Sequence, residues 1–569
     1  MVISFASSAP SESTLTVVSP PAAAFPVLPP CVIWEGGKAA DTTMVRALAA
    51  SLNVPVELRP AGNWEGAGCV VATHATPEDL ARLAKLPVPT LASLAGWEVP
   101  VAGTDRRIHF PQGPGGFWPF AGSTFTAPLP GSPETSVAAN LGAIVAFADQ
   151  QAIWWSTEGG GARHDVIRFS LPVLVAGEDL CDACKGSDFL RALPLLHLFR
   201  QLRLNAGWQP PPLRAAFMFD DANLHWPTYG YVNYPALLAR ARECHFHVAF
   251  ATVPLDSWYV NRRTAELFRG APERLSLLVH GNDHTPRELA LPRPAADRRH
   301  LLATALRRIE SLERRAGLRV ARVMAAPHGA CSEEMLQDLA ATGFAGACIS
   351  PWSLRDYNPD KPWVKRLGTE INEVIGECPV LPRFRLAAHC LPQILIAALL
   401  DQPIVPVGHH HTLAGGLGLL ETLAADINRL GKVNWLDLES MAALSYWSRR
   451  DGAGLGVRPL ARRMHIVIPD GITTLTIDSP AFAESSEWCR PESGEHAPTT
   501  CGPVQEFPVR PGEVVHLQRI CTADASTDTP MPRGGIRPWL AAHRVLGEVR
   551  DRLQPLAVWR KRRLAAGGS

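Results

Sequence analysis

Between residues 214 and 438 the chain alternates two hydrophobic rhythms. Short, nearly unbroken apolar runs occupy 214–221, 247–253, 275–280, 320–326, 345–350, 403–408 and 433–438. Between them, 234–244, 262–269, 295–316, 332–342 and 418–430 carry apolar residues at helical spacing. An apolar run without polar alternation reads as a strand buried on both faces. Strands of that kind, alternating with helices, build a parallel sheet whose faces are covered by the helices. About seven such units fit a closed or nearly closed barrel better than an open sheet, and in barrels the working residues sit at the C-terminal strand ends.

The flanks follow different rules. Residues 31–205 read as a small α/β domain of unknown role, with strands at 31–34 and 69–73, further apolar segments at 144–155 and 166–175, and helices at 42–52 and 187–204. Thr76-Pro77-Glu78-Asp79 marks another helix start, with proline in its first turn. Past residue 457 the apolar period shortens to two. Segments 464–469 and 472–477 alternate around Asp470-Gly471, a hairpin signal, and 504–518 continues in that style. Residues 457–569 are therefore expected to form a β-sandwich-like domain plus a basic helix at 534–564, packed on its own unit rather than on nucleic acid. Residues 1–30, rich in Ser, Ala and Pro, read as a flexible leader.

Composition narrows the function classes. At 569 residues the chain exceeds what one core organises, so several domains are expected. Lys and Arg (55) balance Asp and Glu (54), which gives no global reason to expect nucleic acid or an anionic membrane as partner. The start lacks the basic and apolar regions of a signal peptide. The longest apolar stretch, 391–400, is well short of the ~20 residues of a spanning helix. A cytoplasmic protein is the expectation. Of twelve cysteines only Cys181 and Cys184 are close, and a single C-x-x-C is a weak zinc signal, so reduced structural thiols are expected.

The chemistry concentrates where the central strands stop. Phe219-Asp220-Asp221, His280-Gly281-Asn282-Asp283-His284, Ala326-Pro327-His328-Gly329 and His409-His410-His411 each close an apolar run. Four strand ends on one rim could deliver their side chains to one pocket. One Asp and two His can hold a divalent metal with an open position, most naturally Zn2+, with Mn2+, Co2+, Fe2+ or Ni2+ as alternatives. Neighbouring residues in a strand face opposite ways, so Asp220 and Asp221 can take different roles only if the backbone turns there. Taken alone, Asp-Asp followed by Asn223 reads as a turn and helix cap, and His328 reads equally well as a loop residue or a substrate contact. Of the three consecutive histidines, His409 and His411 share a face on an extended segment, whereas a turn at Gly408 would bring His410 inward.

The order of these clusters resembles the polysaccharide deacetylase family (carbohydrate esterase family 4, the NodB-homology domain). Met218-Phe219-Asp220-Asp221-Ala222 resembles its T-F-D-D-G motif, His280 to His284 its H-x-x-x-H, Ala325-Ala326-Pro327-His328-Gly329 loosely its R-P-P-Y-G, and Val405-Pro406-Val407-Gly408-His409 its L-x-L-x-H. The downstream Leu339-Ala340-Ala341-Thr342-Gly343-Phe344 also fits. The resemblance spans roughly 210–445 and implies a central distorted (β/α)7 barrel, here taken as 210–450, as the catalytic unit. It implies Asp221, His280 and His284 as metal ligands, Asp220 as the base, and His409, or else His410, as the acid. Asn223, His328 and His411 would line the substrate. The implied function is a metal-dependent hydrolase that removes an acyl, typically acetyl, group from an N-acyl sugar or related amide or ester by attack of a metal-bound water. The alternative is a catalytically reduced barrel that binds carbohydrate or a protein partner. The sequence departs from the family at Ala222, where the family has Gly, and at Ala325, where it has the Arg that orients the catalytic Asp.

Overall fold

The computed structural model describes residues 28–34, 42–94, 104–113, 116–129, 142–174, 178–186, 189–482, 486–490, 504–521 and 538–566. The leader expected at 1–30 lies outside them apart from its last three residues. Among the described residues no helix is long and apolar enough to cross a membrane.

The repeated strand–helix units form a curled nine-stranded sheet. Its strands are β1 (Phe217–Ala222), β2 (Val248–Thr252), β3 (Leu275–His280), β4 (Val320–Ala325), β5 (Gly346–Ile349), β6 (Glu373–Ile375), β7 (Cys378–Pro382), β8 (Phe384–Arg385) and β9 (Pro406–Gly408). They lie in the order β6-β7-β5-β4-β3-β2-β1-β9-β8. Every pairing is parallel except that of β6 with β7. The curl is visible in the connectivity. β7 pairs with β5 on one side and β8 with β9 on the other, yet only Arg383 separates β7 from β8. One short segment therefore spans both ends of the parallel run.

Side-chain size explains the curvature. Alternate strand residues face opposite ways. Phe217, Phe219, Phe250, Leu277 and Val279 share a large core with the surrounding helices. The other set, including Met218, Ala249, Ala251, Ala325 and Cys348, forms a separate cluster of mostly small residues. Small side chains on the concave face let the strands close in. Leu438, Met441 and Ala442 of the short helix Leu438–Ala443 join that cluster and stop one end of it. The helices start where the local chemistry dictates. The side chains of Asn233, Asn261, Ser332 and Asp437 each cap one by accepting from a backbone N–H of its first turn.

The first unit is more mixed than its sequence suggests. Its nine strands include a parallel group (Cys31–Trp34, Val56–Arg59, Cys69–Ala75, Thr90–Leu94 and Ala162–Ile167) extended by antiparallel strands. The helix Phe189–Asn205 buries most of one turn after another against this sheet. The same core takes in Ile371, Leu395, Ile396, Leu399 and Trp447, so the apolar stretch near 391–400 is the helix that joins the two units. The half-buried Arg200 pairs with buried Asp401 at 3.0 Å on that boundary.

The C-terminal strands make two sheets around one core of Leu455, Val457, Met464, Ile466, Leu475, Ile477, Phe507 and Leu517. The hairpin expected around Asp470-Gly471 does not form. Arg463–Val467 pairs with Val514–Cys521 in one sheet, while Thr474–Asp478 pairs with Gly454–Pro459 and Val504–Pro508 in the other. Period-two alternation is satisfied either way, because both sheets turn their apolar faces to the same core. The strand expected at 433–438 is reduced to Asn434–Trp435, which pairs with Arg214–Ala215 outside the central sheet. The last helix, Pro538–Ala566, does not stay with these sheets. It lies against the central unit.

Candidate metal centre

The site begins with a break in β1. Its register against β2 shifts between Phe219 and Ala222, and Asp221 adopts a left-handed backbone with φ 68°. A bulge of this kind re-aims side chains, so the two carboxylates no longer alternate across the sheet. The strain of a non-glycine residue in that region costs about 1 kcal/mol or more and persists only where surrounding contacts enforce it.

His280 is the last residue of β3, nearly fully buried. Its Nδ1–H donates to the Ala325 carbonyl at 3.0 Å. That fixes the tautomer and leaves the Nε2 lone pair facing the pocket. His284 follows a tight loop, itself left-handed at φ 58°. The buried carboxylate of Glu288 holds that loop by accepting from the backbone N–H groups of Asn282, Asp283 and His284, at 2.9, 2.7 and 3.2 Å. Gly281 is required here. At φ 60°, a Cβ would lie 2.4 Å from Glu288 Oε2 and 2.6 Å from Pro327 Cγ. Arg308 ties down the same loop through Asn282 Oδ1 and Asp283 Oδ1.

Asp221, His280 and His284 offer three ligand atoms that lie within 4.8 Å of one another. Asp221 Oδ1 is 2.8 Å from His284 Nε2 and 3.5 Å from His280 Nε2. It is buried, and neither contact has hydrogen-bond geometry. Burial opposes ionisation of Asp221, but the two imidazoles outweigh it and hold the carboxyl well below the usual carboxylate range. Burial likewise opposes the imidazolium of His280, while the charges of Asp220 and Asp221 prevail and raise its pKa. A buried carboxylate oxygen facing two imidazole nitrogens is the donor set of a mixed N/O site, so these residues fit a divalent cation. Among the described residues this is the one such group.

Asp220 is held apart from the ligand set. Arg383 Nη1 donates to both its oxygens, at 3.2 and 3.1 Å, and both side chains are buried. Arg383 Nη2 also reaches the Ala326 carbonyl at 3.4 Å. The orienting arginine missing at Ala325 thus arrives from the segment that spans the ends of the sheet. Sequence reasoning missed it, because 378–385 is interrupted by two prolines and two arginines and shows no clean apolar run. Glu288 was missed as well; its only signal was an isolated acid shortly after the H-x-x-x-H cluster.

The remaining candidates separate. His409 is half-exposed, with Nε2 3.7 Å from Asp221 Oδ2. Its ring stacks on that of His411, with centroids 5.5 Å apart and planes 10° apart. His410 turns away between Tyr229 and Tyr231 and faces Asp551 at 3.6 Å; burial lowers its pKa. His328, left-handed at φ 57°, places its ring 5.0 Å from that of His284, and burial together with that neighbour lowers its pKa. Asn223 is buried, and its Oδ1 accepts from the His225 backbone N–H at 3.3 Å, a turn contact rather than a place in the cluster.

No protein-family model matches the chain, and no curated protein matches it. Solved structures do. Agd3, described as a novel carbohydrate deacetylase, is similar at 9% identity and TM-score 0.42 over 87% of this chain and 99% of that one. The Bc1960 peptidoglycan N-acetylglucosamine deacetylase is similar at 16% identity and TM-score 0.24, over 41% of this chain and 90% of its own. A family 4 carbohydrate esterase from Streptomyces lividans, in complex with acetate, is similar at 14% identity and TM-score 0.21, over 39% and 87%. All three likenesses stand at 16% identity or less and at TM-scores below 0.5.

Proposed function

We propose that this protein is a metal-dependent hydrolase that removes an acyl group, most naturally acetyl, from an N-acyl sugar or a related amide or ester. The observation that carries the reading is the convergence of Asp221, His280 and His284 beside a second carboxylate, Asp220, that an arginine holds out of the ligand set. The reading includes a distorted (β/α)7 barrel in which 378–385 serves as the sixth strand and closes the ring.

Asp221, His280 and His284 would hold the cation, with Zn2+ the first choice and Mn2+, Co2+, Fe2+ and Ni2+ as alternatives. A cation bound there lowers the pKa of water and polarises an acyl oxygen. Asp220 takes one proton from the attacking water, and Arg383 keeps its carboxylate aimed while it does so. As the water oxygen bonds to the acyl carbon, the carbonyl π pair moves onto the acyl oxygen. When that pair returns, the C–N or C–O bond breaks and its electrons leave with the nitrogen or oxygen. His409 supplies the proton that this leaving atom needs. The products are the free acid, ionised at neutral pH, and an amine or alcohol. His410, turned toward Tyr229 and Tyr231, is the weaker candidate for the acid.

The test is a turnover screen of the purified full chain, reconstituted in turn with Zn2+, Mn2+, Co2+ and Ni2+, across small acetyl esters, N-acetyl hexosamines and their oligomers. Release of acid should require the metal, stop on chelation and return on reloading. A fully metal-loaded chain that turns over none of these substrates would sink the reading.

A further inference from the structure

The last helix enters the site from a part of the chain that carries none of the motifs. Arg544, Glu548, Asp551 and Arg552 recur at four-, seven- and eight-residue spacing and so share one face. That face meets the rim of the central unit. Glu548 Oε2 is 2.7 Å from His225 Nδ1, Asp551 Oδ2 is 3.6 Å from His410 Nε2, and Arg552 donates to the Thr228 carbonyl at 3.2 Å. The opposite face is apolar and bare, with Trp539, Leu546 and Leu553 exposed by 75%, 67% and 56%. An amphipathic helix ordinarily docks by its apolar face. Here charged contacts, not apolar burial, set the orientation.

Arg544 reaches furthest in. Its Nε and Nη2 donate to the buried carboxylate of Asp256, at 3.1 and 2.6 Å. That clamp uses two of the three guanidinium nitrogens and turns Nη1 toward the ligand cluster, 3.9 Å from Asp221 Oδ1. A planar guanidinium held along one edge presents its free edge in a set direction. An anion beside the cluster would meet that edge and gain a charge-assisted hydrogen bond.

We propose that Arg544, delivered by the C-terminal helix, is an anion-binding residue of this site. Its ligand is the carboxylate of the small acid released from the acyl group, and it acts on the same oxygen as negative charge develops there. The proposal rests on the hydrolase reading above for its choice of anion.

The test is calorimetric titration of acetate into the zinc-loaded full chain, which needs no turnover. Wild type should bind acetate. Arg544→Gln should weaken binding about 10- to 100-fold with zinc content unchanged, and Arg544→Lys should fall between. In Arg544→Ala, added methylguanidinium should restore binding saturably, which a merely structural role for the side chain would not produce. Glu548→Gln, which loosens the helix without removing the guanidinium, should change acetate affinity far less. No acetate binding in wild type, equal affinity in Arg544→Gln, or no restoration by methylguanidinium overturns the proposal. Turnover in the substrate screen with acetate affinity unaffected by Arg544→Gln would overturn this inference and leave the hydrolase reading standing. The converse result would do the opposite.

Discussion

Two buried histidines of this chain titrate in opposite directions. His197, on the helix Phe189–Asn205, packs edge-on against Phe117 at 5.0 Å and beside Trp154 at 6.2 Å, and its Nε2 is buried without a partner. Burial takes its pKa down to about 4. His280 is at least as buried, yet its pKa is raised. A carboxylate lies near each ring. At His197 that carboxylate is Asp165, already held by the Trp154 indole at 3.0 Å and by Arg163 at 3.0 Å. At His280 there are two: Asp220, although Arg383 holds it, and Asp221, whose Oδ1 lies 3.5 Å from Nε2. Burial of a histidine therefore does not mark a site. Burial beside two carboxylates whose combined charge outweighs it does.

The largest effects should come from breaking the His280 side of this comparison. His280→Ala should lose bound zinc and lower turnover roughly a thousandfold or more, since a ligand is gone. His197→Phe should leave both intact. Metal content by mass spectrometry and turnover on the best substrate decide the matter, and a His280→Ala protein that keeps its zinc removes His280 from the ligand set. Cation affinity should also weaken as the pH falls, because the raised pKa of His280 lets a proton compete for Nε2.

Next in size is the carboxylate that the ligand set does not use. Asp220→Asn should lower kcat by about 10^2 to 10^4 with zinc content unchanged. Arg383→Gln should cost about 10- to 100-fold through misplacement of Asp220, with Arg383→Lys recovering part of it. Near-normal turnover in Asp220→Asn would mean that another group takes the proton.

The three consecutive histidines should then divide. His409→Ala should lower kcat by about a hundredfold at constant metal content, while His410→Ala and His411→Ala should have mild effects. Equal, mild losses in all three would move the acid to His328.

The last effect is on stability rather than turnover and belongs to His197. Its folded pKa, about 4, lies below the unfolded value, so between the two the unfolded chain binds more protons. Its contribution to stability is complete above pH 6.5 and is lost as the pH falls toward 4, by up to about 3 kcal/mol. His197→Phe should flatten that slope in urea unfolding measured across pH. An unchanged slope would show that other groups control acid stability.

Much of the central unit was legible from local pattern. Leu275–His280 and Ala295–Ala316 occupy the ranges that periodicity predicted, because both periods are strong and both ends carry turn or cap residues. The C-terminal strands were legible as strands but not as partners, since alternation is blind to which of two sheets receives a strand. Residues 378–385 were not legible at all. A segment that pairs with one edge over its first half and with the other edge over its second has no need of a continuous apolar run.

By itself, the sequence determined which residue types stand at the strand ends, because strand length and side-chain spacing are local properties of the chain. It determined that Asp220 and Asp221 could serve different roles only if the backbone turned. The tertiary structure supplied the turn, through the left-handed Asp221 and the register shift against β2. It also chose the partners. Arg383 arrives beside Asp220 from 163 residues away, and Arg544 beside Asp256 from 288 residues away. Such pairings leave no local trace, because a long-range ion pair depends on where two elements pack and not on the residues that flank either charge.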